Sequence, residues 1–167
     1  MKKTIYKWWW AWDFEKEEDW LNEMALSGWV LDGVGFCTYH FISCEPGEYM
    51  VRLEMHDYDQ GYLDFMEETG AEYVGRYMKW LFFKKKTELG EFDIFSDLQS
   101  RIDHLKSIGN MLKAIGVANL VIGGVNSINP VSFYGSVNLL CATLLMYGLG
   151  RIHGKTEALE KEHLLIE

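Results

Sequence analysis

Polar and apolar residues alternate at short period over the first half of this chain and separate altogether in its last third. Tyr49, Val51, Leu53 and Met55 take every second position with Arg52 and Glu54 between them, the period of a strand covered on one face and wetter on the other. Ahead of it, Phe14, Trp20, Leu21, Met24 and Ala25 fall on one side of a helical wheel. Asp13 stands where it would cap that helix, Glu15, Glu17 and Glu18 sit at its positive end, and Gly28 can close it in a left-handed conformation. Residues 29–35 and 37–42 then read as paired strands, and residues 4–12 as a strand before the helix. The order repeats as strand 49–55, helix 58–69 ending at Gly70, and strands 72–77 and 79–84.

From Ala114 to Gly150 the pattern changes: 37 residues pass without Asp, Glu, Lys, Arg or His, and only Pro130 interrupts them. A spanning helix needs ~20 apolar residues at ~1.5 Å each, so this stretch is long enough for two spans folded back at Pro130. The first, residues 108–128, includes Lys113, placed to snorkel, and Asn110, Asn119 and Asn126; Ala114, Ala118, Gly123 and Ser127 are small enough to let a second helix approach. The second covers 131–152, with its first charge at Arg151. The alternative is a soluble core hairpin, since 49% hydrophobic content and a mean hydropathy of -0.11 are ordinary for a globular chain. Lys84, Lys85, Lys86, Arg101 and Lys106 precede the first span, Arg151 and Lys155 follow the second, and the connection is uncharged, which places both termini in the cytoplasm. The N-terminal MKKTIYKWWWAW does not make a signal peptide, because Lys7 and the acidic run after it interrupt any apolar stretch. Between residues 87 and 107, Phe92, Phe95, Leu98, Ile102 and Leu105 predict an amphipathic connecting helix beginning near Ser96 or Asp97.

The two halves of the soluble part are copies. Shifting the chain by 42 residues aligns WLNEMALSGWVLDGVGFCTYHF, from Trp20, with YLDFMEETGAEYVGRYMKWLFF, from Tyr62, without a gap. Leu21 meets Leu63, Met24 meets Met66, and Gly28, Gly33 and Phe41 meet Gly70, Gly75 and Phe83. The fold expected is therefore α+β, a duplicated βαββ ferredoxin-like two-layer sandwich followed by a linker helix and a helical hairpin. Its division is 1–86 for the duplicated cytoplasmic domain, 87–107 for the connecting helix, 108–152 for the transmembrane hairpin and 153–167 for a cytoplasmic tail.

Charge narrows the partners. Residues 1–86 hold 10 Lys and Arg against 16 Asp and Glu, a net charge of -6, which disfavours nucleic acid. Three cysteines at unhelpful spacings fit a reducing compartment. DFEKEEDWLNEMALSGWVL from Asp13, CEPGEYMVRLEM from Cys44 and GEFDIFSDLQSRIDH from Gly90 together resemble the uncharacterised bacterial family DUF2812, over residues 5–104. That resemblance implies a small cytoplasmic domain followed by membrane spans, in the bacterial cell membrane, encoded beside PadR-like regulators. It carries no activity and no catalytic residues. Gly70-Ala71-Glu72-Tyr73 departs from the family, which more often has an aromatic after the glycine.

Candidate chemistry is sparse. Cys37 and His40 stand an odd number apart on a strand and point to opposite faces, so with Cys44 they make no metal site. Cys44 with His40 or His56 lacks the spacing of a nucleophile and base. Glu15, Glu17, Glu18 and Asp19 read as a solvated helix N-terminus, and Gly33-Val34-Gly35 is no phosphate loop. What needs explaining is the aromatic density: all 7 Trp lie in residues 1–86. If 4–12 is a strand, Trp8, Trp10 and Trp12 share one face and Trp9 takes the other; one face can be core, and the other, with Tyr39 or Tyr77, could leave aromatic rings for a ligand or partner. Trp8, Trp10, Trp12, Trp29, Tyr39 and Trp80 are the candidates for binding a small apolar ligand or a protein partner, against a Trp-heavy core or an aromatic belt at the lipid headgroups. The reading is a membrane-anchored, non-enzymatic sensory or adaptor protein without cofactor. Its alternative is an accessory subunit of a transporter or membrane complex, acting through the hairpin with Asn119, Asn126 and Asn138 as contacts.

Overall fold

The computed structural model describes residues 1–128 and 133–166, and the chain divides into two compact units, Met1–Ser96 and Asp97–Glu167. In the first, β1 (Lys2–Tyr6), α1 (Phe14–Leu26), β2 (Trp29–Gly35) and β3 (Thr38–Ser43) are followed by β4 (Tyr49–Met55), α2 (Gln60–Glu68), β5 (Ala71–Tyr77) and β6 (Trp80–Lys86). Two antiparallel sheets result, ordered β1-β3-β2 and β4-β6-β5. The duplication predicted from the sequence is present in detail. Register shifts fall at Leu31/Gly33 in β2 and at Tyr73/Gly75 in β5, and Gly28 and Gly70 end their helices at φ +83° and +85°, a conformation that only glycine adopts at low cost.

The strand expected over 4–12 stops at Tyr6. Its partner β3 begins at Thr38, opposite Tyr6, and after the Lys7 amide bonds the Cys37 carbonyl (3.1 Å) there is no further strand to pair with. Trp8–Trp10 therefore leave the sheet, and Ala11–Asp13 form a single 3-10 turn. Alternation across a strand does not place these side chains. Comparing the units shows why. Tyr6 opposite Thr38 corresponds to Met55 opposite Trp80, yet 14 positions separate Tyr6 from Trp20 and only 7 separate Met55 from the equivalent Tyr62. The tryptophan segment is a seven-residue insertion between strand and helix of the first unit.

Helix α1 joins the two sheets. Trp20 packs edge-on against Tyr39 and Phe41 of the first sheet, and Phe14 lies 5.6 Å from Trp80 of the second. β4 is an edge strand, and α1 supplies the partner its backbone lacks. The Asn22 amide donates to the Val51 carbonyl (2.9 Å) and its oxygen accepts from the Val51 amide (2.9 Å), while the Glu18 carboxylate accepts from the Leu53 amide (3.1 Å). Strand β6 is consequently buried on both faces. Leu81 and Phe83 pack with Leu63, Met66, Ala71 and Phe92, and Phe82, opposite Leu53, is buried on the other side. The corresponding outer positions of the first sheet, Lys2, Thr4 and Tyr6, are exposed.

In the second unit, α3 (Leu98–Ser127) and α4 (Phe133–Ile166) pack on each other. Asp97 and Ser100 form a capping box at the start of α3. The helix begins where the sequence places it, with Asp97 as its cap, and Phe92 and Phe95, counted on its apolar face, precede it, Phe92 in the core of the first unit. Helix α3 runs unbroken from Leu98 into the uncharged stretch, and the turn expected at Pro130 lies outside the described residues. The seam is a heptad: Ile102, Leu105, Gly109, Leu112, Gly116 and Gly123 are buried at alternating intervals of three and four, with one position of the series passed over. Gly109, Gly116 and Gly123 bring the helices close; a Cβ on Gly116 would collide with Met146, and one on Gly123 would stand 3.0 Å from Leu139. Of the small residues expected at this contact, Gly123 and Ser127 lie against α4, but Ala114 and Ala118 point outward. Asn119 donates to its own helix at the Ile115 carbonyl (2.9 Å), so its amide needs no partner helix. Both helices are long and apolar enough to cross a membrane.

Replacing Asn22 by Ala should destabilise the first unit by about 2–4 kcal/mol, because it strips both bonds from the fully buried Val51 backbone. Its repeat counterpart Asp64, which is exposed and bonds Gln60, should tolerate Ala within about 0.5 kcal/mol. Urea unfolding of the full chain in mild detergent, followed by Trp emission, measures both; equal effects would contradict the edge-capping role.

Candidate functional site

The insertion places its indoles in a ladder. Trp12 is buried (4% exposed) and stacks on Trp10 at 4.8 Å; Trp10 meets Trp8 at 5.4 Å; Trp8 meets Phe36 edge-on at 5.9 Å; and Phe36 meets Tyr77 at 5.7 Å. The ladder starts in the core and ends in water, with Trp8 54% and Phe36 63% exposed. Beneath it, the Lys7 ammonium sits between the rings of Trp9 and Trp20, 4.2 and 4.3 Å from their centroids.

The remaining predicted residues separate from this group. Trp80 stands opposite Tyr77 and against Phe14, at the foot of the same end of the second sheet. Tyr39 is buried in the core and donates to Glu17 Oε1 (2.6 Å). Trp29 opens β2 at its far end, opposite Ser43, with Lys3 5.5 Å over its ring. Six positions along a strand put it ~20 Å from the turn that carries Phe36.

Phe36 is absent from the sequence-derived residues, Tyr77 stands among them only as an alternative to Tyr39, and the exposed Met78 follows Tyr77 directly. The signal for them is turn chemistry. Both hairpins close with two residues, Phe36-Cys37 and Met78-Lys79, where Asn-Gly or Asp-Gly would be favoured. Cys37 and Met78 instead hold φ of 50° and 54°, each at a cost of order 1–3 kcal/mol. Bulky apolar side chains thus occupy both tips against local preference.

The acidic start of α1 is not the solvated helix end that its composition predicts. Glu15 and Asp19 are exposed, but Glu17 and Glu18 turn inward. Burial raises the Glu17 carboxyl to about 7, partly offset by the Tyr39 hydroxyl. Burial likewise raises Glu18 to about 6 against the pull of Arg52, whose Nη1 lies 3.4 Å away. Glu54, accepting from the Tyr62 hydroxyl, is also raised by burial. These carboxylates join helices to strands. At the opposite end of the second sheet, a cavity of about 260 Å³ is lined by Glu45, Glu48, Lys86 and Glu88 among others, remote from the aromatic ladder.

A protein-family model described as a protein of unknown function (DUF2812) matches residues 13–117. No curated protein and no solved structure matches the chain.

A carboxyl whose folded pKa is raised binds its proton more tightly when folded. Glu17 and Glu18 therefore weaken the fold as pH rises from their unfolded values near 4.5 to about 7 and 6, and the penalty is complete above about 7. Acidifying from about pH 8 to about pH 5 should raise the urea midpoint, with Glu17 contributing of order 2 kcal/mol. Glu17→Gln should be the more stable form at the higher pH and show a smaller gap between the two; an unchanged gap would contradict this assignment.

Proposed function

The chain belongs to the DUF2812 family, and from that premise we propose that it is a two-span membrane protein whose first unit is a non-enzymatic binding module held at the cytoplasmic face. The observation that carries the anchor is the outer surface of the second unit. Ile115, Leu120, Val121, Ile122 and Val125 on α3, and Phe133, Leu140, Leu144 and Tyr147 on α4, are exposed while the two helices bury only their common seam. An isolated apolar surface of that extent has no place in water and a natural one in lipid. Helices of 30 and 34 residues reach ~45 and ~51 Å, more than the ~30 Å of hydrocarbon. The excess carries the charges, with Lys106 Nζ and Glu160 Oε1 2.7 Å apart. By the distribution of Lys and Arg, both ends lie on the cytoplasmic side.

Support for binding comes from the aromatic ladder, an exposed cluster on a fold that buries ample apolar surface elsewhere. A small apolar molecule or a protein partner fits its chemistry, in a sensory or adaptor role. The buried carboxylates are each tied to a structural partner, so they speak for architecture and not for proton transfer. The second reading, an accessory subunit acting through the hairpin, draws on the same outward apolar surface.

Topology is the decisive test. The full chain should remain in the membrane fraction after alkaline carbonate washing. In intact spheroplasts, Ser127→Cys should react with an impermeant maleimide, while native Cys37 and Cys44 react only after permeabilisation. Release by carbonate, or labelling of Cys37 from outside, would overturn the proposal.

A further inference from the structure

We infer that the exposed end of the aromatic ladder, Trp8, Trp10, Phe36, Tyr77 and Met78, is a lipid-contact surface that seats the first unit in the headgroup layer of a bilayer. The inference rests on the reading of α3 and α4 as membrane spans and names what the ladder binds. Three observations lead to it.

The first is composition and position. The patch joins Trp, Tyr, Phe and Met at two hairpin tips, with Trp8, Phe36 and Met78 each more than half exposed. Trp and Tyr pair an apolar ring with a polar edge, the side-chain chemistry that accumulates where hydrocarbon gives way to water. Both tips hold these side chains on strained turns, and the indoles come from an insertion that the sister unit lacks. Neither feature serves the fold.

Charge is the second. With a net -6 over residues 1–86, this unit is not drawn to anionic lipid by its overall field, and near the patch Lys79 is already paired with Asp57 (2.6 Å). Contact must come from aromatic insertion, which works equally on zwitterionic lipid.

Tethering is the third. A module on the same chain as two spans meets the bilayer at an effective concentration on the order of millimolar, so a handful of shallowly inserted rings suffices. Within the first unit, the segment after β6 steps back along the second sheet, its Glu91 carbonyl accepting from Lys85 and its Phe92 carbonyl from Arg52, so it runs toward the end that carries the tips.

The spans contain no Trp, so indole emission of the full chain reports on this unit alone. We expect that, in phosphatidylcholine vesicles carrying lipid nitroxides, a shallow nitroxide quenches that emission more than one at the chain terminus. Added phosphatidylserine should leave the quenching unchanged. Phe36→Asp with Met78→Asp, which keeps every Trp, should lower shallow quenching at least twofold with the circular dichroism spectrum unaltered. If the chain inserts with both ends on one side but its emission is unquenched, or is quenched equally in the double variant, the lipid-contact inference fails while the two-span reading stands. Quenching only on anionic vesicles overturns it too, as does emission that responds to an added apolar ligand and not to lipid. If the chain does not enter vesicles at all, both readings fall together.

Discussion

A strand's outer edge must give its amides and carbonyls to something, and in this protein that requirement is met by a side chain. Asn22 presents to Val51 the same donor and acceptor that a neighbouring strand would, and Glu18 takes the next inward amide at Leu53. Because those partners project from α1, the helix of the first βαββ repeat is locked against the sheet of the second repeat, and the two repeats become one core. Burial of Val51, Leu53 and Phe82 follows from it, and so do the raised carboxyls: Glu18 is held inside by the amide and guanidinium that use it. The same rule acts in reverse at β1. Once β3 runs out at Thr38, only the Lys7 amide finds a further backbone partner, at Cys37, and the indoles after it are released toward the surface.

Equivalent positions in the two units therefore answer to different surroundings. Val51, Leu53 and Met55 are covered by the first unit, whereas Lys2, Thr4 and Tyr6 face water. At the other end, Gln60 and Asp64, counterparts of Glu18 and Asn22, have no strand to cap and bond each other. A stack of repeats needs polar outer surfaces, and these substitutions provide them. Only 5 of the 22 aligned positions are identical, yet the topology and both bulges are retained.

How much of this was legible depended on whether the deciding interaction was local. The alternation at Tyr49–Met55 and the glycines at 28 and 70 carry their structural meaning within a few residues, and the β4 bounds and helix ends read from them agree with the structure. The end of β1 was not legible, since a strand stops where its partner stops, and that partner lies more than thirty residues away. The inward turn of Glu17 and Glu18 was hidden for the same reason: their partners Tyr39, Arg52 and Leu53 belong to other strands. In the hairpin, length and absence of charge announced two apolar helices, but the choice of contact face rested on a seven-residue spacing of Gly109, Gly116 and Gly123 that local clusters of small residues concealed. Of the site candidates, Trp8, Trp10 and Trp12 meet, while Tyr39 and Trp29 are taken by the core and by the far end of β2.

The tryptophan segment is hard to account for as a stabilising element. Its Trp9 indole N–H is buried without a hydrogen-bond acceptor, at a cost of order 1–3 kcal/mol, and the turns beside it carry non-glycine residues at positive φ. A core that already contains Leu21, Phe41, Leu53 and Phe83 in nearly complete burial gains little from rings that end in solvent. An insertion that costs stability and exposes apolar surface is retained when something outside the chain compensates for it. Its root on buried Trp12 makes the ladder a rigid extension of the core, so the rings meet their target without an ordering penalty. The fold has taken a segment that its sister repeat omits and braced it against the buried core, and the exposed end of that brace is the surface that the lipid-contact proposal offers to the bilayer.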